Sequence, residues 1–395
     1  MDLEISRLRA NPGKLYAYKF ISEFFLIVPV LIPYYVLHHL NATQIFTIQA
    51  SFHVTVLLLE IPSGYLADVF GRKMTLVLAA VFFPLGLALY AFTGSFLTFV
   101  LAEACVAVAN SMRSGSDSAL MYDTLILLRR ESDYKKLEGR SFLFTRFGTA
   151  AAAVIGGLLA LRSLHLPFYV NVASYGLMLP VALALTEPRR KKRELQSPFR
   201  DIVRISIRCF QHPRLRLLIL MGALVQSASV VGVWAYFLYF RSLGVSVGVV
   251  GVLFAGFQLA SAFGSSRAHD LSRRIGEKRS FLLLLLIAVV FIGLGAVAAR
   301  PMIVLILPAP LLWGFGWPVF MDAFNRLTSS EIRATVLSVA SMASSICFII
   351  LSPLFGKLVD VFSLSIALIA LGIFYLVAGA VILSFLFRTK ASYVL

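Results

Sequence analysis

Charge is scarce in this chain. Asp, Glu, Lys and Arg together make up 14% of its 395 residues, where a soluble globular protein carries about 25%. Polar groups this few cannot cover a folded surface in water, so an arrangement of soluble domains is excluded. Cysteine is rarer still. Cys105, Cys209 and Cys347 lie far apart with no CxxC spacing, which excludes a disulfide framework and a thiolate metal site. The six histidines include no His-Glu-x-x-His, and His38-His39 reads as an interfacial loop pair. No Gly-x4-Gly-Lys-Ser/Thr loop is present, so ATP is not hydrolysed in cis. No Ser-His-Asp arrangement can be proposed from chain positions. Neither enzyme activity, cofactor nor metal is expected.

Hydrophobic residues make up 59% of the chain, and the mean hydropathy is +0.87. The net charge of +17 would mark a nucleic-acid footprint if it lay on one folded face. Here the basic residues sit between long apolar runs, where membrane topology and anionic headgroups account for them. No nucleic-acid partner is expected; the partners are a lipid bilayer and a small solute.

A hydrocarbon core of about 30 Å needs roughly 20 helical residues. Runs at roughly 15–38, 43–67, 74–94, 96–121, 141–161 and 166–186 qualify. After an interruption, so do runs at roughly 215–240, 246–266, 280–299, 302–325, 334–357 and 363–387. The expected fold is all-α, with twelve transmembrane helices in two six-helix bundles. Residues 1–187 form the first, 188–213 a basic linker and 214–395 the second. Met1 to Lys14 is short and polar, so the first run is expected to stay attached rather than be cleaved as a signal. Gly94-Ser95 and Arg300-Pro301 join neighbouring spans as hairpins. Within the linker, Ile202, Ile205 and Phe210 alternate with Arg200, Arg204 and Arg208. That pattern fits an amphipathic helix on the membrane surface or a solvated basic connection.

The Lys/Arg bias places both termini in the cytoplasm. Arg7, Arg9, Lys14, Arg72-Lys73, the Arg129–Arg140 cluster, the linker, Arg267–Arg279, Arg326, Arg333, Arg388 and Lys390 then face inward. Only Arg162, Arg241, Arg300 and Lys357 face outward. The setting expected is a plasma membrane, the inner membrane of a bacterium, with the protein a monomer. The sequon Asn41-Ala42-Thr43 falls in a very short outer loop and reads as unmodified.

The two halves repeat weakly. Gly64, Asp68, Gly71, Arg72 and Lys73 follow the second span; Gly264, Asp270, Gly276, Lys278 and Arg279 follow the eighth. Met121-Tyr-Asp123 closes the fourth span and Met321-Asp322 the tenth. Parallel repeats are a known transporter architecture, with substrate bound near mid-membrane.

Gly64-x-x-x-Asp68-x-x-Gly71-Arg72-Lys73, between the second and third of twelve spans, resembles the signature loop of the major facilitator superfamily. The resemblance implies a secondary transporter of a small organic solute working by alternating access. Asp68 can cap a neighbouring helix N-terminus, which the family pattern puts near Arg333 to Thr335. Arg72 can pair with Asp123. Together they would latch the cytoplasmic face; the alternative is a topogenic loop with a helix cap. Two other family motifs are incomplete. Arg113-Ser-Gly115-Ser-Asp117 matches in part the fourth-helix motif of proton-coupled members. Gly148-x-x-x-Ala152-Ala153-x-x-Gly156-Gly157 keeps the outer glycines of the antiporter motif without its central Gly-Pro.

An ionisable group at a helix centre costs roughly 2.5–3.5 kcal/mol on insertion scales, so each is a candidate for function. Glu23, in a first span that also carries Pro29 and Pro33, suits a reversible proton carrier, or a structural pair with Lys19 or Arg146. Arg113 and Asp117, one helical turn apart, should share a face and either neutralise each other or trade partners with Arg146. Proton or substrate contact is therefore expected among Glu23, Arg113, Asp117 and Arg146. Glu60 reads as latch support, and Glu103 as an outer gate or a buried acid. Most aromatic residues, Trp313 and Trp317 included, read as interfacial anchors. Trp234 and Tyr236, with Gln226 and Gln258, are candidates for a cavity gripping a planar solute. Proton-coupled export is the leading expectation. An importer or facilitator of an organic anion, or a non-transporting receptor on the same fold, are the alternatives.

Overall fold

A computed structural model describes residues 2–188, 198–329 and 332–389. The basic run Arg189 to Arg193 and Lys390 lie outside the described residues, as do the side chains of Arg200 and Ile202. Among the described residues every regular element is helical. Twelve helices are long and apolar enough to cross a membrane. They run Ile5–Leu37, Ala42–Glu60, Arg72–Phe92, Phe96–Leu127, Glu131–Ala160 and Leu166–Ala184. Then come Pro213–Ser242, Val247–Ile275, Glu277–Ala296, Arg300–Leu327, Thr335–Val361 and Leu364–Arg388. The chain is an integral, multi-pass, all-α membrane protein.

The connections have local causes. At the Gly94-Ser95 hairpin, Ser95 Oγ accepts from Thr98 N while Thr98 Oγ1 accepts from Ser95 N, a reciprocal capping box that starts the fourth span. The linker forms a helix, Pro198–Gln211, with Cys209 buried and Ile207 and Phe210 exposed. It stops at His212, whose Nδ1 accepts from Leu215 N at 3.2 Å and caps the seventh span, with Pro213 at its first turn.

The chain forms two compact units. The first is residues 1–39, 58–195 and 246–255; the second is 40–57, 196–245 and 256–395. Each unit thus takes one short segment from the other half of the sequence. In the first unit, residues 247–251 run close against Ala153 and Gly157 of the fifth span, where only glycine leaves room. In the second, Ser352 Oγ donates to Phe46 O at 2.8 Å and the Phe46 and Phe355 rings lie 4.9 Å apart.

The first and fourth spans of the first unit are interrupted where they meet the charged groups. The first consists of helix Asn11–Glu23, an irregular turn, a 3-10 turn Val28–Val30 and helix Leu31–Leu37. Bare backbone at membrane depth is tolerated only where protein satisfies it. Asn171 of the sixth span does so, its Oδ1 accepting from Leu26 N at 2.7 Å and its Nδ2 donating to Phe24 O at 2.9 Å. Tyr175 Oη donates to Ser22 O at 2.7 Å. The fourth span breaks between helix Phe96–Arg113 and helix Ser116–Leu127, at Gly115, whose φ of 74° is left-handed and suits glycine.

Candidate functional site

Both breaks deliver charge to the same place. Glu23 ends one half-helix and Arg113 ends another, a terminus where the helix dipole favours a cation. Arg113 Nη1 donates to Glu23 Oε1 at 2.7 Å and to Ser22 Oγ at 3.0 Å. Asp117 sits in the first turn after the break, where the dipole favours an anion. Its partner is Lys19, at 3.7 Å. Lys19 also binds Glu138 Oε1 at 2.8 Å and Ser118 Oγ at 3.2 Å, and Ser118 Oγ donates to Glu138 Oε1 at 2.7 Å.

The same-face pairing expected of Arg113 and Asp117 is not what forms. The helix is interrupted between them, and each takes a partner from the first span instead. Lys19 is buried, 6% exposed, and joins the first, fourth and fifth spans. Glu138 carried no signal in the sequence because Lys135, Lys136 and Arg140 surround it in a basic run. Arg146 is an exposed residue of the fifth span. The ion pairs join Glu23 to Arg113, and both Asp117 and Glu138 to Lys19. Glu138 Oε2 is buried and accepts no hydrogen bond from the protein.

The signature loop is built as a separate cluster. Arg72 Nη1 donates to the Asp123 carboxylate and to Ala119 O, so the expected pair forms. Gly71 precedes the third span at φ 97°, and the Glu187 carboxylate receives Arg72 N at 3.0 Å and Lys73 N at 2.6 Å. A carboxylate on two free amides at a helix N-terminus is a favourable cap. Glu187 carried no motif signal. Asp68 is exposed at the end of its helix, and Gly64 has open space about its Cα. In the far half of the bundle, Tyr90 Oη donates to the buried Glu103 at 2.7 Å and meets Tyr35 Oη at 2.6 Å, which makes Glu103 a buried, hydrogen-bonded acid.

The second unit contains a cavity of about 230 Å³. Gln226 lines it with Trp313, Trp317, Phe320 and Phe324, and Trp313 Nε1 donates to Gln226 Oε1 at 3.0 Å. Trp234, Tyr236 and Gln258 are not among the lining residues. Trp234 lies against Phe237, Tyr236 is buried between Phe257 and Phe291, and Gln258 is half-buried in the eighth span. The two tryptophans read as interfacial anchors are the ones at the cavity. Their spacing of four residues, with Phe320 and Phe324 one and two turns on, was the available signal.

Twelve spans, a paired signature loop and charged groups held at broken helices define a membrane transporter fold rather than an enzyme. The chain matches the Major Facilitator Superfamily over residues 20–332 and 219–393, and it belongs to that family. Among solved structures it resembles the nucleoside transporter NupG at a TM-score of 0.82 and 15% identity, covering 96% of this chain and 100% of that one. A bacterial homolog of the human lysosomal transporter Spinster, in an inward-facing and unoccupied conformation, gives 0.77 and 15%, over 98% and 99%. A D-xylose-proton symporter gives 0.73 and 16%, over 98% and 99%. No curated protein sequence matches the chain.

Proposed function

We propose that the protein is a secondary transporter that moves a small organic solute by alternating access and couples that movement to protons, with the signature loop on the cytoplasmic side. The observation that carries the proton reading is the shared lysine beside the broken helices. Asp117 and Glu138 both take Lys19, and one carboxylate oxygen, Glu138 Oε2, is buried and accepts no hydrogen bond. A buried carboxylate oxygen with no donor facing it is an open position for a transported proton. Lys19 can then pass between Asp117 and Glu138, and Arg113 hold or release Glu23, as protonation changes. Tyr16 and Tyr134 lie within electrostatic reach of Glu138, and Tyr18 and Tyr175 within reach of Arg113. One solved relative of this fold is named as a proton symporter, so the architecture is compatible with such coupling.

The test is reconstitution into liposomes loaded with a pH-sensitive dye, with wild type beside Glu138→Gln and Glu23→Gln. Pooled uncharged, anionic and cationic solutes are offered in turn. Solute-dependent proton movement in wild type, abolished in Glu138→Gln while labelled solute still exchanges, is the expected result. Solute flux with no proton movement in wild type would replace coupled transport with facilitated exchange. Saturable binding with no flux would favour a receptor on this fold.

A further inference from the structure

The cavity of the second unit has a composition that selects its ligand. We propose that it binds an uncharged, flat solute bearing a hydrogen-bond acceptor, and that Gln226 reads that acceptor. This rests on the transporter reading for its physiological meaning, but the binding itself stands on the cavity.

None of the residues lining the cavity is charged. An ion entering it would give up its hydration and find no counter-charge, the arrangement that disfavours burial most strongly. Four aromatic rings line it, from Trp313, Trp317, Phe320 and Phe324, with Phe320 and Phe324 stacked at 27° and 6.4 Å. Flat aromatic walls suit a planar solute. A volume of about 230 Å³ lies below the range of drug-sized sites, so the solute is a single small ring system with its substituents.

The polar group is oriented by its neighbour. An indole N–H can only donate, so the atom of Gln226 that meets Trp313 Nε1 at 3.0 Å must be the amide oxygen. With the amide's orientation fixed in this way, its NH2 is the donor left to the cavity, and a carbonyl or ring nitrogen on the solute would accept from it. Ser344 spends its hydroxyl proton on Ala340 O at 2.9 Å, and so can only accept from a ligand.

The chain has three tryptophans, and two of them line the cavity, so intrinsic fluorescence of the purified protein reports its occupancy. Nicotinamide, nicotinate and 3-(aminomethyl)pyridine share one ring and differ in charge. The expected result is saturable quenching by nicotinamide, with both charged analogues at least about tenfold weaker. Gln226→Ala should weaken nicotinamide about three- to tenfold, and Trp234→Phe should leave the titration unchanged. Equal or tighter binding of nicotinate or the amine overturns the proposal. So does a wild-type response that stays linear with nicotinamide, uracil and benzamide alike, since collisional quenching does not saturate. Saturable neutral binding without uptake into liposomes would defeat the transporter reading and leave the cavity assignment standing. Uptake of an anion by a protein whose cavity ignores the neutral probes would do the opposite.

Discussion

The Asp360 carboxylate caps the N-terminus of the helix that Ala42 begins. One oxygen accepts from Ala42 N at 2.9 Å, and the other accepts from Thr43 N at 2.7 Å and Thr43 Oγ1 at 2.6 Å. Asp360 lies near the C-terminus of its own helix, where the dipole disfavours an anion, and against the N-terminus of the second span, which favours one. The balance is set by the three hydrogen bonds, each to a charged acceptor.

Removing that cap should loosen the start of the second span without unfolding the protein. Asp360→Ala is expected to cost about 1–2 kcal/mol, as for other helix N-caps, and Asp360→Asn less, because one amide oxygen remains to accept. Hydrogen exchange of the peptide containing Ala42 and Thr43 should rise accordingly. Unchanged exchange there in Asp360→Ala would show that the carboxylate holds nothing.

Gly71 should tolerate no side chain. Its φ of 97° strains any other residue, and a Cβ there would stand 3.0 Å from the Glu187 carboxyl group. Gly71→Ala is expected to destabilise by about 1–2 kcal/mol through backbone strain, with further loss as Glu187 is pushed off Arg72 N and Lys73 N. Adding Glu187→Ala should relieve the second part but not the first. Thermal unfolding of the single and double variants separates the two; additive losses would mean that the glycine and the carboxylate act independently.

Acid should destabilise the loop end at His38. Its ring packs on Tyr34 at 4.7 Å, Phe99 at 5.3 Å and His165 at 6.1 Å. Burial, then the neighbouring His165 and His39, hold its pKa below the usual histidine value. The unfolded chain therefore takes up the proton first. The stabilisation is present above about pH 6.5 and is lost as pH falls below it. Thermal midpoints at pH 7.5 and 5.5 should differ more in wild type than in His38→Gln, which does not titrate. An equal pH dependence in the two would assign the effect to another group.

The spans were legible because hydropathy depends only on local composition, and the Arg72–Asp123 pair because its loop has a fixed spacing. The breaks at Phe24 to Ile27 and at Gly115 were not. Phe24 to Ile27 contains no glycine or proline, and what stabilises the open turn is Asn171, 145 positions from Leu26. Once the fourth span is broken at Gly115, the helical spacing that joined Arg113 to Asp117 no longer applies. Lys19 sits in the N-terminal part of its span, between Lys14 and Glu23, and supplies the counter-charge for Asp117 and Glu138. The cavity failed for a different reason. Trp313 and Trp317 read as interfacial anchors, and only the packing of the second unit sets Trp313 against Gln226 and Trp317, itself 53% exposed, at the cavity wall.

The Glu23–Arg113 pair gives the sharpest energetic test of the broken-helix site. Removing one partner of a fully buried pair costs about 3–5 kcal/mol, because the other charge is left unpaired. Here the side chains keep 18% exposure at Arg113 and 33% at Glu23, so water recovers part of the loss. Arg113→Met should then cost about 2–3 kcal/mol and Glu23→Gln less, since the amide oxygen of the substituted side chain would still accept from the guanidinium. The double variant should be more stable than the sum of the two singles predicts, the coupling energy measuring the pair itself. Urea or thermal unfolding in a single detergent supplies all four corners of the cycle. A coupling near zero would mean that Arg113 is held by Ser22 and the helix terminus rather than by Glu23.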